Sequence, residues 1–228
     1  MKALLDVFFQ PGTLFSSLPE RRAAWVAPLV VNTLLALLST YITIHVMGMD
    51  LIIRQRIASS NMSPEQAQKA IESAASPVTT YVTYAAVGIG APVSMLIIAG
   101  ALFAFGMMTK RSPNFGSMLA MVSLAFFPYS LVTVAMTALV MIAAPDKTAL
   151  DISNILATNV AAFVNKSETS KGLYALYTSL DILSFIEIFL LSFGFSKLTK
   201  AGFAAGLGAV GGLWILWVLT KMALSLLQ

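Results

Sequence analysis

Residues 112–145 read SPNFGSMLAMVSLAFFPYSLVTVAMTALVMIAAP, a run without a single Lys, Arg, Asp, Glu or His. An α-helix rises 1.5 Å per residue, so about 20 apolar residues cross the ~30 Å hydrocarbon core of a bilayer. This stretch therefore holds one whole span, long enough to tilt. Working outward, Ser73 to Thr109 is equally free of charge, and Ala23 to Met49 carries only His45. Gly172 to Ser196 is interrupted by Asp181 and Glu187, and Ala201 to Gln228 by Lys221. The reading is an all-α integral membrane protein with five transmembrane helices and short extra-membrane amphipathic helices. It forms one membrane domain over 1–228, with spans at about 24–47, 79–106, 117–143, 173–195 and 202–226.

Composition points the same way. Hydrophobic residues make up 58% of the chain and charged residues 11%, against about 25% charged in soluble domains. Mean hydropathy is +0.84. So few charges cannot cover a water-facing surface, and lipid must serve as solvent. The net charge of +4 does not indicate nucleic acid, because Lys and Arg are scattered singly or in pairs with no stripe. With no cysteine and one histidine, His45, neither a thiolate nor a His-rich metal site can be built. No cofactor is expected. HExxH, GxSxG and Walker A patterns are absent, so an enzyme is not expected either. Asp6 ends the Ala3-Leu4-Leu5 run too early for a cleavable signal, which assigns targeting to the first span.

Charge asymmetry sets the orientation. The N-terminus and the two short turns hold Lys2, Arg21, Arg22, Lys110, Arg111, Lys197 and Lys200 against Asp6 and Glu20, a net +5. The two long loops balance to zero. The positive-inside rule then places the N-terminus in the cytoplasm and the C-terminus outside. Sequons at Asn61-Met62-Ser63 and Asn165-Lys166-Ser167 both fall in the loops placed outside.

The loops carry structure of their own. Ser63-Pro64-Glu65-Gln66 has the form of a capping box with Pro at the first helical position, opening a helix to about Ala75. In the second loop Ile152, Ile155, Leu156, Val160, Phe163 and Val164 recur at helical spacing, which suggests a helix on the outer leaflet or capping the bundle. Residues 1–22 read as an interfacial segment. Leu4, Leu5, Phe8 and Phe9 share one side of a short helix, Pro11-Gly12 turns the chain, and Trp25 stands at belt position.

The intramembrane polar residues form the candidate site. An ionised side chain at mid-membrane costs at least ~2.5 kcal/mol on insertion scales, so it calls for an explanation. Tyr177, Thr178, Asp181, Ser184 and Glu187 occupy one polar arc of the fourth span. One reading is a proton or cation path, or a substrate site. The other is a structural seam, with Asp181 paired to Lys221 of the fifth span, which shares a face with Trp214 and Trp217. Asn32, Ser39 and Thr43 line one face of the first span and could bond across to the fourth. Gly202, Gly206, Gly208 and Gly212 give small-xxx-small spacing in the fifth span, suited to packing within the chain or to a homo-oligomer. Pro92 and Pro128 each free a backbone carbonyl and mark expected kinks.

The stretch Phe8-Phe9-Gln10-Pro11-Gly12-Thr13-Leu14-Phe15, then Trp25 and Pro28, resembles the start of bacterial YIP1-domain proteins. Asn114-Phe115-Gly116-Ser117-Met118-Leu119, leading through Val122-Ser123 to Phe127-Pro128, is similar to that family's central signature. The resemblance implies five spans with N-terminus in and C-terminus out, in a bacterial inner membrane. Eukaryotic relatives are linked to vesicle traffic and Rab-type GTPases through a long cytosolic N-terminal region. Here 22 residues precede the first uncharged run, which places a Rab-type partner in doubt. The functional expectation is a non-enzymatic membrane scaffold or accessory protein, working through contacts with lipids or other membrane proteins. The alternative is a small transporter or channel using Asp181 and Glu187.

In a chain without cysteine, single-cysteine variants report sidedness directly. Lys110→Cys and Lys197→Cys are expected to react with an impermeant maleimide only from the cytoplasmic side, Ser63→Cys and Ser167→Cys only from outside. Labelling of Lys197→Cys and Ser63→Cys from the same side refutes the orientation.

Overall fold

The computed structural model describes residues 2–21, 23–58, 60, 62–74, 76–109, 113–152, 154–166 and 168–226. Five of its helices are long and apolar enough to cross a membrane, and the chain is a multi-pass all-α membrane protein. In chain order the helices are α1 (Lys2–Phe9), α2 (Pro11–Ser17), α3 (Val26–Met47), α4 (Met49–Ala58), α5 (Pro64–Ala74) and α6 (Pro77–Met107). They continue with α7 (Phe115–Ala143), α8 (Lys171–Tyr177), α9 (Ile182–Thr199) and α10 (Phe203–Leu226). The spans are α3, α6, α7, α9 and α10.

The seventh helix is the centre. Every residue from Ser117 to Ala125 is buried, because α3, α6, α9 and the N-terminal hairpin surround that half. Asn114 caps its start, its Oδ1 accepting from the Ser117 amide at 2.7 Å. The N-terminal segment packs against the bundle, a contact its sequence did not specify. Helix α1 packs on α7 and α2 on α9, burying Leu4, Val7, Leu14, Phe15 and Leu18 in the main core. Leu5 and Phe9 stay exposed, so one helix face joins the bundle and the other meets lipid or headgroups. The two stretches that carry the family resemblance meet here. The Phe8 and Phe127 rings stand edge to face at 5.9 Å, Ser117 Oγ donates to Leu18 O at 3.4 Å, and Gly116 faces Trp25.

Asn32 staples α3 to α7 and not to the fourth span. Its Nδ2 donates to Ser123 O and to Pro28 O, both at 2.7 Å. Neither proline interrupts its helix: α6 runs through Pro92 and α7 through Pro128. The interruption falls in the fourth span, which the sequence placed at 173–195. It is two helices, α8 and α9, separated at Thr178–Asp181, and the membrane-crossing part is Ile182–Thr199. Asp181 causes the break. Its backbone is extended, and its Oδ1 accepts from the Leu183 amide at 2.7 Å, starting a new helix instead of continuing the old one.

The loop side differs from expectation in one more respect. The capping box forms as read, with Ser63 and Gln66 bonding reciprocally at 3.0 and 3.3 Å. The second long loop, however, holds no α-helix between 144 and 170 among the described residues; a 3-10 turn spans Val160–Phe163. Ala157 takes a positive φ of 50°, which a helix cannot accommodate, Thr158 is spent on Asp181 and Ile182 as described below, and the Asn159 side chain donates to Asn154 Oδ1 at 2.7 Å. Ile152 and Ile155 instead pack on Met47, Ile52 and Met141, capping the bundle. The Gln55 amide of α4 fastens that cap, donating to Leu150 O at 2.7 Å and accepting from Ile152 N at 3.1 Å. Asn61 and Ser167, needed by the two sequons, and Lys110 and Arg111 of the first turn lie outside the described residues.

Glycine serves packing within the chain at two places. A Cβ on Gly206 would collide with the Ser192 carbonyl oxygen of α9, and one on Gly194 would stand 2.7 Å from Met121 Cγ of α7. Gly202, Gly208 and Gly212 have nothing within 4 Å of such an atom, so of the four predicted packing glycines only Gly206 closes a helix contact here. Gly206→Ala is expected to lower the melting temperature in detergent by several degrees, while Gly208→Ala leaves it unchanged or slightly raised. Equal effects of the two would contradict the packing.

Candidate functional site

Five of the predicted polar residues come together in one cleft. It is bounded by α6, α7, α9 and α10, has a volume of about 680 Å³, and is lined by Thr178, Asp181, Ser184, Glu187 and Lys221. Tyr177 and Asn32 are not part of it. Tyr177 ends α8 on the loop side, and Asn32 is used between α3 and α7.

Helix geometry gives the cleft a gradient. On α9 the lining runs Asp181, Ser184, Glu187, Ile188, Leu191; on the antiparallel α10 it runs Lys221, Thr220, Trp217, Trp214, Leu213, Val210. Polar groups therefore gather at the loop side and apolar ones deeper in. Asp181 to Leu191 is ten residues, about 15 Å, roughly the depth of one leaflet's hydrocarbon. Across from them stand Ser94, Ile97, Ile98, Ala101 and Leu102 of α6, and Phe126 and Tyr129 of α7. Contact between α6 and α10 is slight. The lips Ile97, Leu216 and Trp217 are 66%, 62% and 62% exposed. The mouth thus opens sideways, toward lipid.

The expected Asp181–Lys221 ion pair is not formed. Lys221 Nζ instead donates to Thr178 Oγ1 at 2.8 Å and to Ser179 Oγ at 3.2 Å. Asp181 spends its carboxylate on two other donors, the Leu183 amide and Thr158 Oγ1 at 2.9 Å. Its backbone also bridges the second loop: Val160 N donates to Leu180 O at 3.2 Å, and Ile182 N to Thr158 O at 3.3 Å. Position explains why no pair is required. Along α9, Asp181 lies 18 residues from Thr199, about 27 Å, and Lys221 lies equally far along α10 from Phe203. Both sit near the edge of a ~30 Å core, where charged tips reach headgroups and water. Glu187 is different. It lies about 9 Å deeper than Asp181, and its carboxyl makes no hydrogen bond or ion pair with any described residue. Among the described residues no group of three or more His, Cys, Asp or Glu could hold a metal ion.

Tyr129 and Ser94 were not singled out from the sequence. Each is an isolated polar residue in a long apolar run, and nothing in the spacing ties either to the fourth span. Comparisons with known protein families, with curated proteins and with solved structures returned no match.

The site geometry separates two energetic roles. Asp181→Ala removes a helix cap and the Thr158 tether, and is expected to cost about 1–2 kcal/mol; Asp181→Asn, which keeps an acceptor, should cost less. Since Asp181 and Lys221 share no hydrogen-bond partner, the Asp181→Asn and Lys221→Met effects on thermal stability should add to within about 0.5 kcal/mol. A coupling of several kcal/mol in the double variant would restore the buried ion pair.

Proposed function

We propose that this chain is a non-enzymatic accessory protein of a bacterial inner membrane, of the YIP1 type, with N-terminus in the cytoplasm and C-terminus outside. It works by holding one amphiphilic membrane component, a phospholipid or a molecule of like build, in the α6–α10 cleft. One observation carries the reading: the cleft opens sideways to lipid, and its lining passes from Lys221, Thr178, Ser179 and Asp181 to Leu191, Leu213 and Val210 over the depth of a leaflet. An amphiphile presents the same gradient, headgroup at the edge and chain within. Such a molecule could be held for presentation to another membrane protein, which is how a non-enzymatic accessory chain would act on its surroundings. Supporting the family reading, the residues of the two resembling stretches pack against each other at the α1–α7 junction, which gives those short motifs a common structural task.

A second reading shares the cleft. The broken fourth span and the partnerless Glu187 are features that line sites in carriers, and a cation or proton at Glu187 would satisfy its carboxyl. Photo-crosslinking with a phospholipid bearing a diazirine in its acyl chain tests the binding role. Labelling is expected at Leu191 and Val210, which are buried and line the cleft. Ala101→Trp, which fills the floor, should abolish it while leaving Leu96 and Leu219 labelled. Labelling confined to the exposed helix faces would refute the proposal. Cation or proton flux in proteoliposomes that vanishes in a stably folded Glu187→Gln would establish the carrier instead.

A further inference from the structure

At the opposite end of the bundle a second recess lies between α2, α9 and α10, about 720 Å³ in volume. It is built around Lys197 and Lys200, with the Ser16 and Ser196 side chains at its wall and no carboxylate in its lining. Asp6 and Glu20, the acids of this end, are elsewhere. The recess is shaped by aromatic rings: Phe193 and Phe189 stack at 6.1 Å with planes 4° apart, and Phe203 of α10 leans on Phe189 at 5.7 Å. The Lys197 ammonium sits 5.2 Å from the centre of the Phe193 ring, a cation–π contact that holds it at the recess. Lys200 adopts the left-handed conformation at the end of α9, φ 55°, where the chain turns into α10.

We infer that this recess binds the headgroup of an anionic glycerophospholipid from the leaflet on the N-terminal side of the bundle. Two observations select that ligand. The lining carries charge of one sign only, so an anion is drawn in and a zwitterion gains little. The apolar floor descends from Lys197 to Phe189, eight residues or about 12 Å of helix, which matches an acyl chain hanging below a phosphate and gives nothing to a free anion. A phosphate placed between the two ammonium groups has polar neighbours in Ser16 and Ser196, whose hydroxyls donate within their own helices to Gly12 O at 2.8 Å and Phe193 O at 3.0 Å, so the ammonium groups supply the recognition. Basic recesses between spanning helices at a membrane face bind acidic lipid headgroups on the same physical grounds. The recess is separate from the α6–α10 cleft, and the inference does not rest on the function proposed for that cleft.

The test is native mass spectrometry of the full chain, delipidated in detergent and titrated with phosphatidylglycerol or phosphatidylcholine. The wild type should retain one phosphatidylglycerol with about thirtyfold preference, the contribution of two lysines near a headgroup. Lys197→Gln with Lys200→Gln should reduce the preference to near unity, and Ser16→Glu, at an exposed helical position, offsets one of the two charges and should reduce it to about fivefold. Lys2→Gln with Arg21→Gln removes the same charge from this end but outside the recess, and should change nothing. Equal retention of both lipids by the wild type overturns the site. An equal loss of preference in the Lys2/Arg21 variant also overturns it, leaving general charge attraction. Displacement of the lipid by millimolar inorganic phosphate would identify a site for the free anion and likewise refute it.

Discussion

The start of α9 is the constraint on which the loop side of the molecule depends. A helix that begins near the edge of the hydrocarbon core leaves several backbone N–H groups with no partner in the helix and little water to supply one. Asp181 meets that demand with one carboxylate oxygen and uses the other to hold Thr158. The extended turn at Asp181 leaves the Leu180 carbonyl and the Ile182 amide on either side of it outside the helix ladders, and Val160 N and Thr158 O satisfy them. The second loop is therefore tied down across the break, and Thr178 and Ser179 are turned toward Lys221. Had Asp181 continued a helix, neither the tether nor the polar rim of the cleft would exist.

The other half of the molecule rests on close packing. Without a difference in hydrophobicity between lipid and side chain, spanning helices associate through fit and a few hydrogen bonds. Helix α7 supplies the fit. Its buried half is surrounded on all sides, Gly194 lets α9 come against Met121, and Gly206 lets α10 come against Ser192. Asn32 adds a bond to the Ser123 carbonyl. The N-terminal hairpin closes the remaining side with Phe15, which is fully buried. Pro92 and Pro128 are carried inside continuous helices, consistent with spans whose neighbours can take up a freed carbonyl.

These two halves together leave α6 and α10 apart. Since α9 is gripped by α7 behind and α10 in front, α6 follows α7 and α3, and the space between α6 and α10 remains as the cleft. Its polar rim comes from the break at Asp181 and its apolar depth from the regular faces of α9 and α10. Glu187 lies between the two zones, which makes it the residue where binding and transport readings part.

The sequence by itself determined the fold class, the number of spans and the helix start at Ser63, because those depend on local quantities: uninterrupted hydropathy over a bilayer's thickness and side chains that cap their own backbone. It also brought Asp181, Ser184, Glu187 and Lys221 under one heading, since charge in a span is conspicuous. Only the tertiary structure decided what each of them touches. The Asp181–Lys221 pair looked sound on depth alone, yet both residues found nearer partners, and depth along a helix does not fix direction around it. The loop stripe at Ile152 and Ile155 has helical spacing, but Ala157's backbone and the bonds from Thr158 to Asp181 and Ile182 override it. The N-terminal stripe likewise fitted a lipid surface as well as a protein groove, because both reward the same apolar face. Tyr129 and Ser94 enter the site only through the packing of α6 and α7, a contact between distant segments that no local pattern encodes.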